Sequence, residues 1–259
     1  MSVNKPIKID VILAPDLLTE AEMGNTLCAV IDVLRATSTI TAAFANGILK
    51  VVPFKNATEV RAYAASLSME SYLLGGEEKS LRIPGFDLGN SPLEYTDTVV
   101  KGKTLLFSTS NGTPTLQRAC AGSRAPVYIA SLLNISAVSG AMAKRGETEQ
   151  FGSLTFVCSG RGGKPSSEDT FCAGLGVQKL SQMLVDKGIS PELTDCAFIA
   201  AHFAWSNNQK VLAVLAGCEH GRSLLPLGFE KDIELAAQVD RYSIAPVFDG
   251  KSITLSQQE

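Results

Sequence analysis

Four short stretches of this sequence gather the residue types that handle anions and hard metal ions. In the first, Asp32-Val33-Leu34-Arg35-Ala36-Thr37-Ser38-Thr39, a carboxylate and a guanidinium leave an apolar run together. A carboxylate placed there can ligate a metal or attack phosphorus, Arg35 can make a bidentate pair with phosphate, and Thr37 or Ser38 can cap a helix beside a bound anion. An Asp32–Arg35 ion pair with an ordinary hydroxyl cap would account for the same residues. In the second, Gly75 and Gly76 let a backbone approach a ligand, Glu77 offers oxygens, and Asn90 and Ser91 precede Pro92. A loop and a proline-initiated helix is the plain alternative. In the third, Asn111, Gly112 and Thr113 form a neutral cradle for an anion at a helix start, or simply a Thr113 cap ahead of Pro114.

The fourth stretch runs Cys158-Ser159-Gly160-Arg161-Gly162-Gly163-Lys164-Pro165-Ser166-Ser167-Glu168-Asp169. As a P-loop it fails, because Cys158 replaces the first glycine and Pro165 stands where a Ser or Thr must ligate magnesium. A thiol phosphatase loop fails too, since its arginine position is Lys164 and Arg161 comes too early, so Cys158 is expected to be dispensable for turnover. What remains is a glycine-rich basic loop in which Arg161 and Lys164 can face an anion. Ser166 and Asp169 follow at capping-box spacing, which puts Glu168 and Asp169 in the first turn of a helix, within reach of a metal. Of the two histidines, His202 lies in an apolar run and reads as a partly buried helix residue, while His220 is better placed as a general acid or substrate ligand. They make no zinc signature, and the six scattered cysteines read as reduced, largely buried thiols.

Such groups need a frame that brings strand ends together. Short β-branched runs at 7–13, 27–33, 49–53, 71–74, 104–108, 127–130 and 154–157 alternate with helical patterns at 38–45, 58–67, 114–119 and 135–144. That order predicts a layered α/β/α fold with a mainly parallel or mixed sheet, with ligands at the strand-to-helix edge. Helical spacing at 170–187, 192–203, 210–216 and 231–239 makes the C-terminal third largely helical, before extended pieces at 244–248 and 253–255 around an Asp249-Gly250 turn. The change of pattern at 149–152 divides the chain into an N-terminal α/β domain, 1–150, and a helix-rich C-terminal α/β domain, 151–259. The hydrophobic content of 45% over 259 residues suffices for a sizeable core. A net charge of −3 without a basic stripe argues against nucleic acid as a partner. The absence of a leader pattern and of long apolar runs predicts a cytoplasmic protein with no membrane partner. Assembly into a homo-oligomer is left open.

Taken together, the four stretches resemble the 2-phosphosulfolactate phosphatases. The resemblance is carried by Val30-Ile31-Asp32-Val33-Leu34-Arg35-Ala36-Thr37-Ser38, Gly75-Gly76-Glu77, Gly85-Phe86-Asp87 with Asn90-Ser91-Pro92, and the run from Ser108 to Thr113. Glu168-Asp169 with Ala173-Gly174, His220 with Gly228 and Asp232, and Ala245-Pro246 extend it over residues 7–253. It implies an α/β fold unlike the common phosphatase superfamilies, and magnesium-dependent hydrolysis of 2-phosphosulfolactate to sulfolactate, a step toward coenzyme M in methanogens. On that reading Asp32, Glu77, Glu168 and Asp169 are the pool of magnesium ligands. Asp32, Arg35 and His220 become the catalytic candidates, and Arg35, Thr37, Ser38, Asn90, Asn111, Gly112, Thr113 and Arg161 those that hold a small anionic phosphate ester. The nucleophile is either a water activated at the metal or Asp32 itself. An aspartyl phosphatase would carry a second Asp where this chain has Leu34, which favours water. Arg161 and Lys164 are more basic groups than one phosphate needs, so a second anion, sulfonate or carboxylate, is expected beside it. Two rival readings use the same residues: a metal-dependent lyase or isomerase of an anionic hydroxy acid, and a non-catalytic anion-binding protein.

Overall fold

The computed structural model describes residues 6–19, 23–67, 72–123 and 125–255, and every structural statement below concerns those residues. The leader pattern judged at residues 1–5 and the strand start expected at Ser71 lie outside them. In chain order the strands are β1 (Ile7–Ile12), β2 (Thr26–Ile31), β3 (Lys50–Phe54), β4 (Tyr72–Glu78), β5 (Leu81–Arg82), β6 (Thr104–Ser108), β7 (Val127–Ala130), β8 (Ser153–Cys158), β9 (Pro191–Leu193), β10 (Pro246–Phe248) and β11 (Ile253–Leu255). The helices are α1 (Ala36–Ala45), α2 (Ala57–Ala64), α3 (Asp97–Val100), α4 (Gly112–Gly122), α5 (Ile135–Thr148), α6 (Ser167–Asp186), α7 (Asp195–Asn207), α8 (Val211–Gly217), α9 (Glu219–Leu224) and α10 (Glu230–Ala236). The expected layered α/β fold with a mixed sheet and a helical C-terminal third is what these elements build.

All strands join one sheet in the order β5-β4-β6-β3-β11-β10-β7-β2-β8-β1-β9. It consists of two parallel blocks, β4-β6-β3 and β7-β2-β8-β1-β9, stitched by the antiparallel hairpin β10–β11. The central strand β2 is buried at every position, as a strand covered on both faces should be. On one face of β1, β2 and β8, helices α5, α6 and α7 bury Ile135, Val138, Phe171, Val177 and Ala200. On the other, Ile40 and Phe44 of α1 and Leu116 of α4 pack with Val30 and Val157 of the larger block and with Val51, Leu105 and Phe107 of the smaller. Thus α1 and α4 bridge the two blocks. Between α6 and α7 the backbones nearly touch: a Cβ on Gly174 would lie 2.0 Å from the Ala200 carbonyl oxygen, so only glycine fits there. The division expected at residue 150 falls between α5 and β8, and β8 pairs with both β1 and β2.

Three local departures have physical causes. The helix expected from 192 starts at Asp195, because the Thr194 hydroxyl accepts from the Ala197 N–H as its cap and residues 191–193 pair with β1 as β9. The strand expected to end at 74 continues to Glu78 through Gly75 and Gly76, where a Cβ would meet the β6 backbone at Ser108 and the Tyr95 hydroxyl. The Ser166–Asp169 capping box is not made: Ser166 sits at the cap position without a side-chain bond, and Asp169 reaches elsewhere. No helix among the described residues is long and apolar enough to cross a membrane.

Candidate active site

The segments after β2, β6 and β8, with the end of β4 and its turn, open onto one pocket of about 320 Å³. It is lined by Asp32, Leu34 and Arg35, by Glu77, Lys79 and Ser80, by Ser110 and Asn111, by Arg161 and Gly162, and by Asn90 and His220. Asp32 sits at its floor, 6% exposed. Its backbone is locked by one residue: the Thr37 N–H and hydroxyl both donate to the Asp32 carbonyl, at 2.9 and 2.8 Å, and that hydroxyl accepts from the Asp32 N–H at 3.0 Å. The Ala36 N–H donates to Asp32 Oδ1 at 3.2 Å, and Oδ2 faces the first turn of α4. Burial pushes the Asp32 carboxyl up to about 7; the Ala36 N–H and Arg35 pull against the rise, while Glu77 and Glu168 add to it.

The start of α4 differs from the expected Thr113 cap. The helix begins at Gly112, and it is Thr109 that satisfies the turn, its hydroxyl accepting from the Thr113 N–H at 3.1 Å. Among the described residues nothing accepts from the N–H groups of Asn111 and Gly112. Two open donors at a helix N-terminus beside the pocket make a ready anion seat. Gly112 is required by Asp32: a Cβ there would stand 2.7 Å from Asp32 Oδ2 and 2.7 Å from the Ala36 methyl.

Arg35 does not pair with Asp32. Its Nη1 donates to Asp232 Oδ2 at 2.8 Å, its Nη2 donates to the Ser80 carbonyl at 2.6 Å, and the guanidinium lies 3.9 Å from the Phe229 ring centre. Asp232 in turn accepts the Ser91 hydroxyl on Oδ1 at 2.6 Å. The arrangement buries an ion pair whose side chains are 2% and 4% exposed.

The four carboxylates expected to share a metal have separate employments. Asp169 accepts from the Val33 N–H on Oδ1 at 2.8 Å and from the Gly160 N–H on Oδ2 at 3.0 Å, tying the β2 and β8 ends together. Burial and the neighbouring Glu168 and Asp32 hold its carboxyl well above the usual range. Glu168 stands 3.8 Å from His220 Nδ1, and burial raises it too. Glu77 lines the pocket, accepting from the Ser110 and Ser80 N–H groups at 2.8 and 2.7 Å. No group of three or more His, Cys, Asp or Glu among the described residues is arranged to hold a metal ion. Asp32 and Glu77 alone put carboxylate oxygens on the pocket, a pair that suits an ion which keeps several waters and takes further oxygens from a phosphate.

His220 lines the pocket, and burial, with the cations Arg161 and Arg35, pushes it down to about 4, so its imidazole is neutral near pH 7. Arg161 also lines it, within 3.7 Å of Glu219, whereas Lys164 is solvent-exposed in a backbone turn with Arg161. Thr37, Ser38 and Thr113 spend their hydroxyls inside the protein, on the Asp32 carbonyl, the Val33 carbonyl and Thr109. Asn90 lines the pocket with a buried Oδ1 that has no partner. Cys158 is fully buried and does not line the pocket, and burial holds its thiol well above the usual range, which disfavours the thiolate. His202 is not partly buried as read but exposed, between the rings of Phe198 and Trp205.

Sequence reasoning missed Lys79 and Ser80, which close the two-residue turn between β4 and β5 with left-handed backbones, φ 51° and 68°. Lys-Ser carries none of the Asn-Gly chemistry that announces such a turn. It also gave no role to Asp232 and Phe229, which stand almost two hundred residues from Arg35.

A family model described as 2-phosphosulpholactate phosphatase matches residues 12–251. Among similar proteins, one from Symbiobacterium thermophilum is 38% identical over 234 residues, covering 90% of this chain and 96% of the relative. One from Pseudothermotoga lettingae is 36% identical over 241 residues, 93% of this chain and 95% of the relative. One from Clostridium acetobutylicum is 34% identical over 249 residues, 95% of this chain and 100% of the relative. All three are named probable 2-phosphosulfolactate phosphatase.

Proposed function

The chain belongs to the 2-phosphosulfolactate phosphatase family, and from that premise we propose that its pocket hydrolyses a small anionic phosphomonoester, 2-phosphosulfolactate to sulfolactate and phosphate. The observation that carries the reading is the placing of Asp32, a buried carboxyl near neutrality, against the open N–H groups of Asn111 and Gly112 in a pocket edged by Arg35 and Arg161. The α4 N-terminus and Arg35 hold the phosphoryl oxygens, and Asp32 Oδ2 takes the proton of the attacking water. The water oxygen bonds to phosphorus as the ester P–O bond breaks, and the proton held by Asp32 passes to the leaving alkoxide. His220, neutral at this pH, serves as a hydrogen-bonding ligand of the substrate and not as an imidazolium acid. Magnesium belongs to the proposal: Glu77 would hold it, with Asp32 sharing it only through the oxygen that does not take the proton, and bound there it would neutralise charge on the phosphoryl oxygens and lower the Asp32 carboxyl from its metal-free value.

A second anion on the substrate would meet Arg161 and Lys79, the lysine that lines the pocket where Lys164 was expected from sequence. Self-association is supported by the exposed Phe198, Ile199 and Trp205 on α7, a helix apolar on its outer face as well as its inner one. A place toward coenzyme M and a cytoplasmic location complete the reading.

Phosphate release from a set of phosphorylated hydroxy acids, with and without magnesium after chelation, tests the function. Release from 2-phosphosulfolactate that chelation abolishes and magnesium restores is the expected result. Conversion of a hydroxy acid without phosphate release would establish the lyase or isomerase reading instead. Binding without turnover would establish the anion-binding reading.

A further inference from the structure

An arginine that recognises a phosphoryl group must be aimed, because its fork of N–H donors is useful only in the right plane. Arg35 is aimed by parts of the chain far from it in sequence. Asp232 of α10 takes Nη1, the Ser80 carbonyl of the β4–β5 turn takes Nη2, and Phe229 covers one face of the guanidinium. Arg35 lines the pocket, and its guanidinium makes no other hydrogen bond among the described residues. Asp232 is itself fixed, its second oxygen accepting the Ser91 hydroxyl at 2.6 Å, in a segment that also supplies the pocket residue Asn90.

We propose that Asp232 is a positioning residue that orients Arg35 toward the phosphoryl group and offsets its charge. The proposal rests on the reading of Arg35 as a phosphate ligand. The offset matters because the product is inorganic phosphate: a fully charged, desolvated Arg35 would hold it too long, whereas a paired one offers geometry without excess attraction. The pair therefore favours turnover over ground-state anion binding.

Asp232→Asn and Asp232→Ala separate orientation from charge. In Asp232→Asn the amide oxygen still accepts from Arg35 Nη1 and the amide N–H group meets the Ser91 hydroxyl, so aim survives while the compensating charge is lost. That variant should bind inorganic phosphate at least about threefold more tightly, with kcat lowered by less than about tenfold. Asp232→Ala loses both, and its kcat/KM should fall about a hundredfold with weaker phosphate binding. Phosphate affinity is read by titration calorimetry, turnover by phosphate release, and stability by thermal unfolding. Equal losses of kcat and phosphate affinity in both variants, in step with a shared drop in Tm, would mean that Asp232 merely holds the fold and would overturn the proposal. Should Asp232→Ala not fold, the sign of the phosphate-affinity change in Asp232→Asn decides: tighter supports, unchanged or weaker overturns. Arg35→Ala tests the premise. If it binds inorganic phosphate as the wild type does, Arg35 is no phosphate ligand and the proposal falls with it. A wild type that binds phosphate but releases none from any ester would sink the phosphatase reading alone, and the affinity comparison would still judge Asp232.

Discussion

At the scale of single residues, the candidate site depends on close approaches more than on the number of charged groups. Gly112 illustrates this. Its backbone is not left-handed, yet a methyl group there would stand 2.7 Å from Asp32 Oδ2. The Asp32 backbone is fixed by Thr37 and the Ala36 methyl, also 2.7 Å away, cannot rotate, so the carboxylate must turn aside and the starts of α1 and α4 must move apart. Gly112→Ala is accordingly expected to lower kcat/KM by about a hundredfold, the cost of roughly an ångström of misplacement, and to lower stability by about 1–3 kcal/mol through the contact with Ala36. Steady-state phosphate release and thermal unfolding on the same preparation check it; wild-type kcat would mean that Asp32 is not the proton carrier. The sequence made Asp32, Arg35, Glu77, Asn90, Asn111, Arg161 and His220 legible, since each follows a strand or opens a helix and all seven line the pocket. It could not tell hydroxyls that face the pocket from hydroxyls that brace it. Thr37 and Ser38 bond backbone carbonyls within the turn they start, as Ser and Thr habitually do when a loop becomes a helix. Nor could it distribute carboxylates: Glu168 and Asp169 are adjacent in sequence, but Asp169 turns away to staple two loops.

At the scale of elements, the turn between β4 and β5 trades stability for placement. Lys79 and Ser80 both adopt left-handed backbones, which cost L residues roughly 1–2 kcal/mol each. The turn is held from both sides: the Ser80 N–H donates to Glu77 Oε2 at 2.7 Å, and the Ser80 carbonyl accepts from Arg35 at 2.6 Å. An Asn-Gly turn would fold more easily, but it would leave no cation at the pocket rim. Lys79→Gly should therefore raise stability by about 1 kcal/mol and raise KM for a doubly anionic substrate by about tenfold. Chemical denaturation and substrate titration measure the two effects separately; a stabilised variant with unchanged KM would remove Lys79 from substrate binding. This element also marks where pattern reading stops. Helices such as α5 and α6 were visible because their apolar residues recur at helical spacing over several turns. The β4–β5 hairpin, the three-residue β9 and the one-turn α3 are too short to show a period, and tertiary contacts decide them.

At the scale of the whole molecule, the pocket is shared between two parallel blocks of strands. Asp32, Arg35 and Arg161 come from the ends of β2 and β8 in the larger block, while Glu77 and Asn111 come from β4 and from the segment after β6 in the smaller. The sheet link between the blocks among the described residues is the C-terminal hairpin, through Phe248 opposite Val127 of β7 and Ile253 opposite Val51 of β3. The sequence announced this hairpin by its Asp249-Gly250 turn, with the Asp249 carboxylate accepting from the Lys251 and Ser252 N–H groups. What it could not announce is that the last strands insert between others laid down much earlier, because period and composition carry no pairing information. Phe248 and Ile253 are almost wholly buried in the core that contains α1 and α4, so the hairpin adds packing as well as hydrogen bonds. Ile253→Ala should cost about 2–5 kcal/mol, the range for a buried large-to-alanine change, measured by chemical denaturation. Ending the chain after Ser243 removes both strands and leaves β7 and β3 with unpaired edges facing each other. That truncation is expected to lose a single cooperative unfolding transition and to abolish phosphate release, because the two halves of the site are no longer in register. A truncated chain that unfolds cooperatively and turns over at the wild-type rate would instead assign the alignment of the blocks to α1 and α4, whose side chains pack against both.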